Sequence, residues 1–310
     1  MIKPPRLRKS DTIGIIAPGS PVEKKKLRDG IGLLESHGYR IKNGKHVLAG
    51  NGYLAGSDIQ RIDDLHEMFL DPAVRAVLCA RGGYGSGRLL DLVDFSVIRD
   101  NPKIFSGYSD ITALQCAILR KTGLVTFSGP MVAPDFGGIT VGDITFTHFR
   151  DLVSGDENAG ILSSYSDSLE VICSGKAEGM IVCGCLSLIT SIAGTPYEPD
   201  FRDAILVLED IGEEPYRLDR ALNTLKLHGI FEKLSGLVLG KFVDCGSTQK
   251  GSEQITIREI VKPLVERYSI PAMMNLSYGH VKNMITIPLG IRAEIDTDNR
   301  LFRLTENPVN

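Results

Sequence analysis

Three apolar runs in this chain of 310 residues end in side chains whose types suit acyl transfer: Ser109, Glu209 and His280. Ser109 lies in Gly107-Tyr108-Ser109-Asp110, between the run from Ile104 and a helical pattern from Ile111 to Lys121. A serine in so tight a strand-to-helix turn is forced out of the sheet, its hydroxyl beside the unpaired N–H groups of the helix start. Gly107 lets the turn close without a Cβ clash. The Asp110 N–H is then placed to bond an oxyanion formed when Ser109 attacks a carbonyl. Ile111 stands where the second glycine of a Gly-x-Ser-x-Gly elbow would be. The same spacing suits a plain helix cap by Ser109 or Asp110, so both readings stand.

Glu209-Asp210 follows Ile205-Leu-Val-Leu and precedes Pro215, which fits the first turn of the next helix. Two acids directly after four apolar residues need partners if they are buried. Asp219 and Arg220, farther along, read equally well as surface charges. His280 follows the run Met273 to Gly279 and precedes another strand-like segment, a loop position from which an imidazole can act as base. His37, His46, His66 and His228 fall on helices or their ends, and His148 in a connector. No histidine cluster supports a metal site.

A fourth run, Ala76 to Ala80, ends in Arg81-Gly82-Gly83-Tyr84-Gly85-Ser86-Gly87-Arg88. Its glycines expose backbone N–H groups and admit a ligand closely. Neither the Gly-x-x-x-x-Gly-Lys nor the Gly-x-Gly-x-x-Gly register fits, so a donor loop completing an oxyanion hole, at Gly83, is preferred over a phosphate loop. A merely tight turn is the other reading.

The bulk composition, 43% hydrophobic and 24% charged, is that of a soluble globular protein. A net charge of -3 provides no global attraction to nucleic acid or to an anionic membrane. No apolar stretch is long enough to span a bilayer, and the basic start leads into a short strand and turn rather than a signal peptide. A cytoplasmic location is expected. The six cysteines, Cys79, Cys116, Cys173, Cys183, Cys185 and Cys245, lie mostly in apolar runs and read as small buried hydrophobes.

Short apolar runs alternate with amphipathic stretches in the first half, the pattern of a parallel sheet covered by helices. Strands are expected at 12–17, 76–80, 104–107 and 125–128, with helices over 22–37 and 111–121. The stretch from Pro130 to about Tyr165 is rich in Gly, Asp, Ser and Thr and reads as a crossing between domains. The expected division is an N-terminal α/β domain over 1–135 carrying the serine, a connector over 136–170, and a C-terminal domain over 171–310 carrying the glutamate and histidine.

Taken together, Gly107-Tyr-Ser-Asp-Ile-Thr112, Glu209-Asp-Ile-Gly-Glu-Glu-Pro-Tyr-Arg-Leu-Asp-Arg-Ala-Leu222 and Gly279-His280 resemble the motifs of the LD-carboxypeptidases. The opening Gly14-Ile-Ile-Ala-Pro-Gly-Ser-Pro21 and the loop Arg81-Gly-Gly-Tyr-Gly85 fit the same family in the same order, from about residue 12 to residue 290. The resemblance implies an N-terminal Rossmann- or amidotransferase-like domain and a smaller, β-rich, swivelling C-terminal one. It implies a Ser–His–Glu peptidase without metal or cofactor, commonly a homodimer, that removes the terminal D-alanine of murein tetrapeptides in cell-wall recycling. A branch of the family instead cleaves peptidyl-nucleotide antibiotics of the microcin type, giving self-immunity; this chain has no tryptophan to serve as an extra aromatic clamp. A non-catalytic nucleotide-binding protein is the alternative of another class.

On that footing Ser109 attacks the penultimate carbonyl, His280 takes its proton and passes it to the leaving amine, and Glu209 orients His280. The Asp110 and Gly83 N–H groups are the oxyanion-hole candidates. Arg81, Tyr84 and Arg220 are the candidate substrate contacts, with either arginine able to meet the terminal carboxylate.

Overall fold

A computed structural model describes residues 1–138, 143–166, 168–246 and 255–310. In chain order the first half runs β1 (Thr12–Ile16), α1 (Lys24–Ser36), β2 (Arg40–Asn43), α2 (Asp58–Leu70), β3 (Val74–Cys79), α3 (Phe95–Asp100), β4 (Ile104–Gly107), α4 (Thr112–Thr122) and β5 (Thr126–Ser128). The remainder runs α5 (Ile144–Ser154), β6 (Glu170–Cys173), β7 (Lys176–Cys185), α6 (Leu186–Ser191), β8 (Ala204–Ile211), α7 (Pro215–Leu227), β9 (Leu234–Val243), α8 (Ile257–Arg267), β10 (Ala272–Met274), β11 (Ile287–Leu289), β12 (Arg292–Asp296) and β13 (Leu301–Leu304).

The first sheet has the order β11-β5-β4-β3-β1-β2 and is parallel apart from β11. Its core strands are buried on both faces. On β3, Val77 and Cys79 join one apolar cluster while Ala76 and Leu78 join another, the period of two that a covered parallel sheet requires. The 2-1-3-4-5 order of the five parallel strands is the doubly wound arrangement, whose switch point lies between β1 and β3. Loops leaving the carboxyl ends of β1, β3 and β4 therefore share one crevice. The parallel, helix-covered sheet expected for the first half is present.

The second sheet has the order β13-β12-β7-β8-β9-β10-β6, with β7 to β10 parallel and the outer strands antiparallel. The run expected to stop at Leu208 continues to Ile211, because Asp210 and Ile211 still pair with Phe242 and Val243 of β9. Residues 136–170 carry α5, whose Phe146, Phe149, Leu152 and Val153 are buried with the first sheet's cluster. Gly142 and the other residues of 139–142, with 167, lie outside the described set.

Two features bind the sheets together. Helix α4 is buried on nearly all faces, and its Thr112 Oγ1 accepts the Cys185 N–H at 3.2 Å. Gly184 permits this approach: a Cβ there would lie 2.2 Å from Thr112 Cγ2. The chain also crosses back after β10, since β11 pairs antiparallel with β5, and the Asn310 N–H reaches the Pro4 carbonyl at 3.0 Å. Among the described residues no helix is long and apolar enough to cross a membrane.

Candidate active site

Ser109 is half-buried and has φ of 61°, a left-handed conformation that costs a side-chain-bearing residue on the order of 1 kcal/mol. The turn is forced by its surroundings. A Cβ on Gly107 would meet Ile111 side-chain carbons at 3.0 Å, and the buried Gln115 donates Nε2–H bonds to the carbonyls of Gly107 and Phe127 at 3.0 and 2.7 Å. The helix-cap reading finds no hydrogen bond here. Neither Ser109 nor Asp110 caps the helix with its side chain.

Asp110 instead fastens the glycine-rich loop. Its buried carboxylate accepts the Gly85 and Ser86 N–H groups at 3.1 and 2.8 Å, while Ser86 Oγ donates to the Asp110 carbonyl. Burial pushes the Asp110 carboxyl up, and the Ser86 and Gly85 bonds pull it back. Arg61, buried within α2, donates to the Pro18 and Gly85 carbonyls and pairs with Asp58. The loops after β1 and β3 interlock further through Ser20 N–H to the Gly82 carbonyl at 2.9 Å and Tyr84 N–H to Ser20 Oγ at 3.1 Å.

Gly82 is the loop glycine that abuts the serine turn. A Cβ there would lie 3.4 Å from Ser109 Cβ and 3.5 Å from Asp110 N. Gly83, one residue on with φ of 92°, faces Ser20, where a Cβ would lie 2.5 Å from Oγ. Tyr84 is exposed, its ring edge-on to Tyr53 at 5.6 Å. Arg81 is exposed on the same loop, with Nη1 donating to the Pro21 carbonyl at 3.1 Å.

The structure brings Glu209 and His280 into direct contact. His280 Nδ1 lies 2.8 Å from Glu209 Oε2, and Glu209 is 1% exposed. Gly279 makes the contact possible: with φ of 107°, a Cβ at that position would lie 2.6 Å from Glu209 Oε2. Burial acts to lower the His280 pKa. The hydrogen bond and charge of Glu209, with Asp210 and Asp135 adding, outweigh it and hold His280 above its ordinary value. Burial likewise pushes the Glu209 carboxyl up, while the His280 contact opposes it.

Asp210, next along β8 at a register irregularity against β9, has partners of its own while its charge still acts on His280. Its carboxylate accepts the Ser187 N–H at 2.8 Å and lines a small pocket with Glu213, Arg217 and Arg220. Arg220 lines that pocket, exposed beside the Tyr216 ring, and is not among the residues lining the cleft that holds His280.

Two participants had no signal of their own in the sequence. The Tyr108 ring packs edge-on to the His280 ring at 5.0 Å, and its hydroxyl donates to Asp135 Oδ1 at 3.2 Å. Both line a cleft of about 530 Å³ with His280, Asp143 and Lys282. Tyr108 was findable only as the neighbour of Ser109. Of the remaining histidines, His148 is a buried structural bridge between Ala159 and Thr286, pushed down to about 4 by burial, and His46 pairs with Asp64.

The chain matches the LD-carboxypeptidase N-terminal domain over residues 13–129 and the LD-carboxypeptidase C-terminal domain over residues 178–295. It is 42% identical over 298 residues to a probable murein peptide carboxypeptidase of Bacillus subtilis, covering 95% of this chain and 92% of that one. It is 31% identical over 299 residues to a murein tetrapeptide carboxypeptidase of Pseudomonas aeruginosa, covering 93% and 94%. Among solved structures, the microcin C7 self-immunity protein MccF superposes with a TM-score of 0.91 at 29% identity over the whole of both chains. A muramoyltetrapeptide carboxypeptidase from Oxalobacter formigenes superposes with 0.81 at 34%, covering 94% and 98%. With both domains of the family matched in order and the fold shared throughout, the chain belongs to the LD-carboxypeptidases, a family of serine-peptidase hydrolases.

Proposed function

We propose that this protein hydrolyses the L,D bond that holds the terminal D-alanine of a murein tetrapeptide, with Ser109 as nucleophile, His280 as general base and acid, and Glu209 as its orienting carboxylate. The observation that carries the reading is the His280–Glu209 contact. With Nδ1 bonded to a carboxylate, Nε2 is the nitrogen left to exchange a proton.

Ser109 attacks the penultimate carbonyl carbon while His280 accepts the hydroxyl proton. The resulting imidazolium is stabilised by Glu209 and returns its proton to the departing D-alanine amine. Water then attacks the acyl-serine by the same exchange in reverse. The Asp110 N–H, at the start of a helical turn, is one oxyanion donor. The glycine loop supplies the other through the Gly82–Gly83 backbone, which the Gly82 contact with the serine turn favours. Arg81, on that loop, is the better partner for the substrate's terminal carboxylate than Arg220, which lines the separate pocket with Asp210 and Glu213. Tyr84 forms part of the rim.

The glycine loop is a poor phosphate site. The Gly85 and Ser86 N–H groups already bond a carboxylate, whose charge would repel a phosphate. A microcin-type amidase is the second reading, favoured by the likeness to MccF, one of whose structures is in complex with glutamyl sulfamoyl guanosine. The absence of tryptophan from this chain weighs against an aromatic clamp for a base.

The test is D-alanine release from a murein tetrapeptide beside cleavage of a peptidyl-nucleotide, with fluorophosphonate labelling located by mass spectrometry. Tetrapeptide turnover that disappears in Ser109→Ala is expected. Undiminished release by that variant removes Ser109 from the mechanism.

A further inference from the structure

Asp135 lies in a single π-type turn, Val132–Phe136, of the sort that recurs at functional sites. The turn is held between the end of β3 and helix α1. The Ala133 N–H bonds the Ala80 carbonyl at the end of β3 at 3.0 Å. Gly30 of α1 lies so close that a Cβ there would sit 2.1 Å from the Val132 carbonyl oxygen, and one on Gly137 would sit 2.5 Å from that of Lys26. Within this frame both Asp135 oxygens are engaged, Oδ2 by the Met131 N–H at 2.7 Å and Oδ1 by the Tyr108 hydroxyl at 3.2 Å.

We propose that Asp135 and Tyr108 form a second support for His280, on a different side of the imidazole from Glu209: the carboxylate fixes the tyrosine ring, and the ring fixes the histidine. The assignment rests on the reading of His280 as the general base and makes Tyr108 and Asp135 positioning residues for that reaction. Tyr108 is 7% exposed and adjoins Ser109, so one residue is in chain contact with the nucleophile and in ring contact with the base.

The charges facing His280 come from each element around it: Glu209 and Asp210 from β8, and Asp135 from the π turn. Asp143 and Lys282 line the same cleft. Asp135 itself is pushed up to about 6 by burial, with Met131 N–H, Tyr108 and the His280 charge opposing. The carboxylate is thus kept in an unfavourable setting, where a neutral side chain would be easier to bury.

Two variants separate the tether from the charge. In Asp135→Asn the amide oxygen can take the Met131 N–H while its NH2 donates to Tyr108 Oη, so the ring stays and the charge goes. The acid limb of kcat/KM is expected to move to lower pH with KM unchanged. In Tyr108→Phe the tether is cut; kcat should fall on the order of tenfold with KM unchanged, since small misplacements of a base are costly. In a Ser109→Ala background, the His280 titration followed by NMR should shift downward on adding Asp135→Asn, whether or not the enzyme turns over. An unmoved titration and pH limb, together with wild-type kcat in Tyr108→Phe, overturn the proposal. A shifted titration in a protein that never releases D-alanine upholds the support of His280 and refutes the substrate reading instead.

Discussion

His280 Nδ1 sits 2.8 Å from Glu209 Oε2, and the other oxygen of that carboxylate, Oε1, is buried with no hydrogen-bond partner among the described residues. Leaving a buried acceptor unpaired costs about 1–3 kcal/mol, so the glutamate is poorly placed for stability and well placed to bias an imidazole. Glu209→Gln is expected to keep the fold while lowering kcat by roughly 10³–10⁴, as loss of the orienting charge does in other triads. Steady-state kinetics beside a thermal melt checks this. A variant with wild-type kcat would remove Glu209 from the mechanism.

The left-handed backbone of Ser109 yields a second expectation. Ser109→Ala should abolish D-alanine release, a fall on the order of 10⁴-fold or more. Ser109→Gly should be equally inactive yet lose no stability, because glycine relieves the positive φ that serine must bear. Calorimetry of the two variants decides; a glycine variant destabilised by more than about 1 kcal/mol would contradict the strain argument.

The pH profile follows from the sign of the His280 shift. A base must be neutral, and His280 is held above the ordinary value of about 6.5 by the Glu209 carboxylate. Activity should therefore be lost as pH falls through a midpoint above that value, and Glu209→Gln should move the limb downward. The same raised value means the folded protein holds this proton more tightly than the unfolded chain. The stabilisation is complete below about 6.5 and fades as pH rises through the folded value. A limb below 6 in the wild type would refute this.

Gly279→Ala tests the geometry under the contact. An added Cβ would fall 2.6 Å from Glu209 Oε2 and 2.8 Å from its Cβ, at φ of 107°. A loss of about 1–3 kcal/mol, with kcat lowered more than KM is raised, is expected. Chemical denaturation and kinetics on one preparation would show whether stability and turnover fall together.

For the carboxylate clamp, Arg81→Ala should raise KM for the tetrapeptide by about tenfold to a hundredfold, while Arg220→Ala leaves it within twofold. A substrate amidated at its terminus should be insensitive to Arg81→Ala. Equal sensitivity to both substitutions would assign the clamp elsewhere.

Ser109 stands just past the end of β4, as the run before it indicates, whereas Glu209 lies within β8 and His280 falls in the stretch after β10. The supports around them were not legible in the sequence. Tyr108 and Asp135 are 27 positions apart, Gly85 and Asp110 are 25 apart, and Arg61 and Pro18 are 43 apart. No periodicity links such pairs; they meet only once the strand order 2-1-3-4-5 has folded the loops into one crevice. The run ahead of Glu209 and Asp210 gave no sign that a strand continues through them, yet pairing of Asp210 and Ile211 with β9 and separate hydrogen-bond partners, His280 and Ser187, carry it on.

His280 lies in the stretch between β10 of the second sheet and β11 of the first. During synthesis the first sheet therefore cannot close at β5 until residue 289 has left the ribosome, so its edge waits unpaired while most of the chain is made. The strand that completes this sheet brings His280 with it, ahead of β12 and β13, which finish the second sheet.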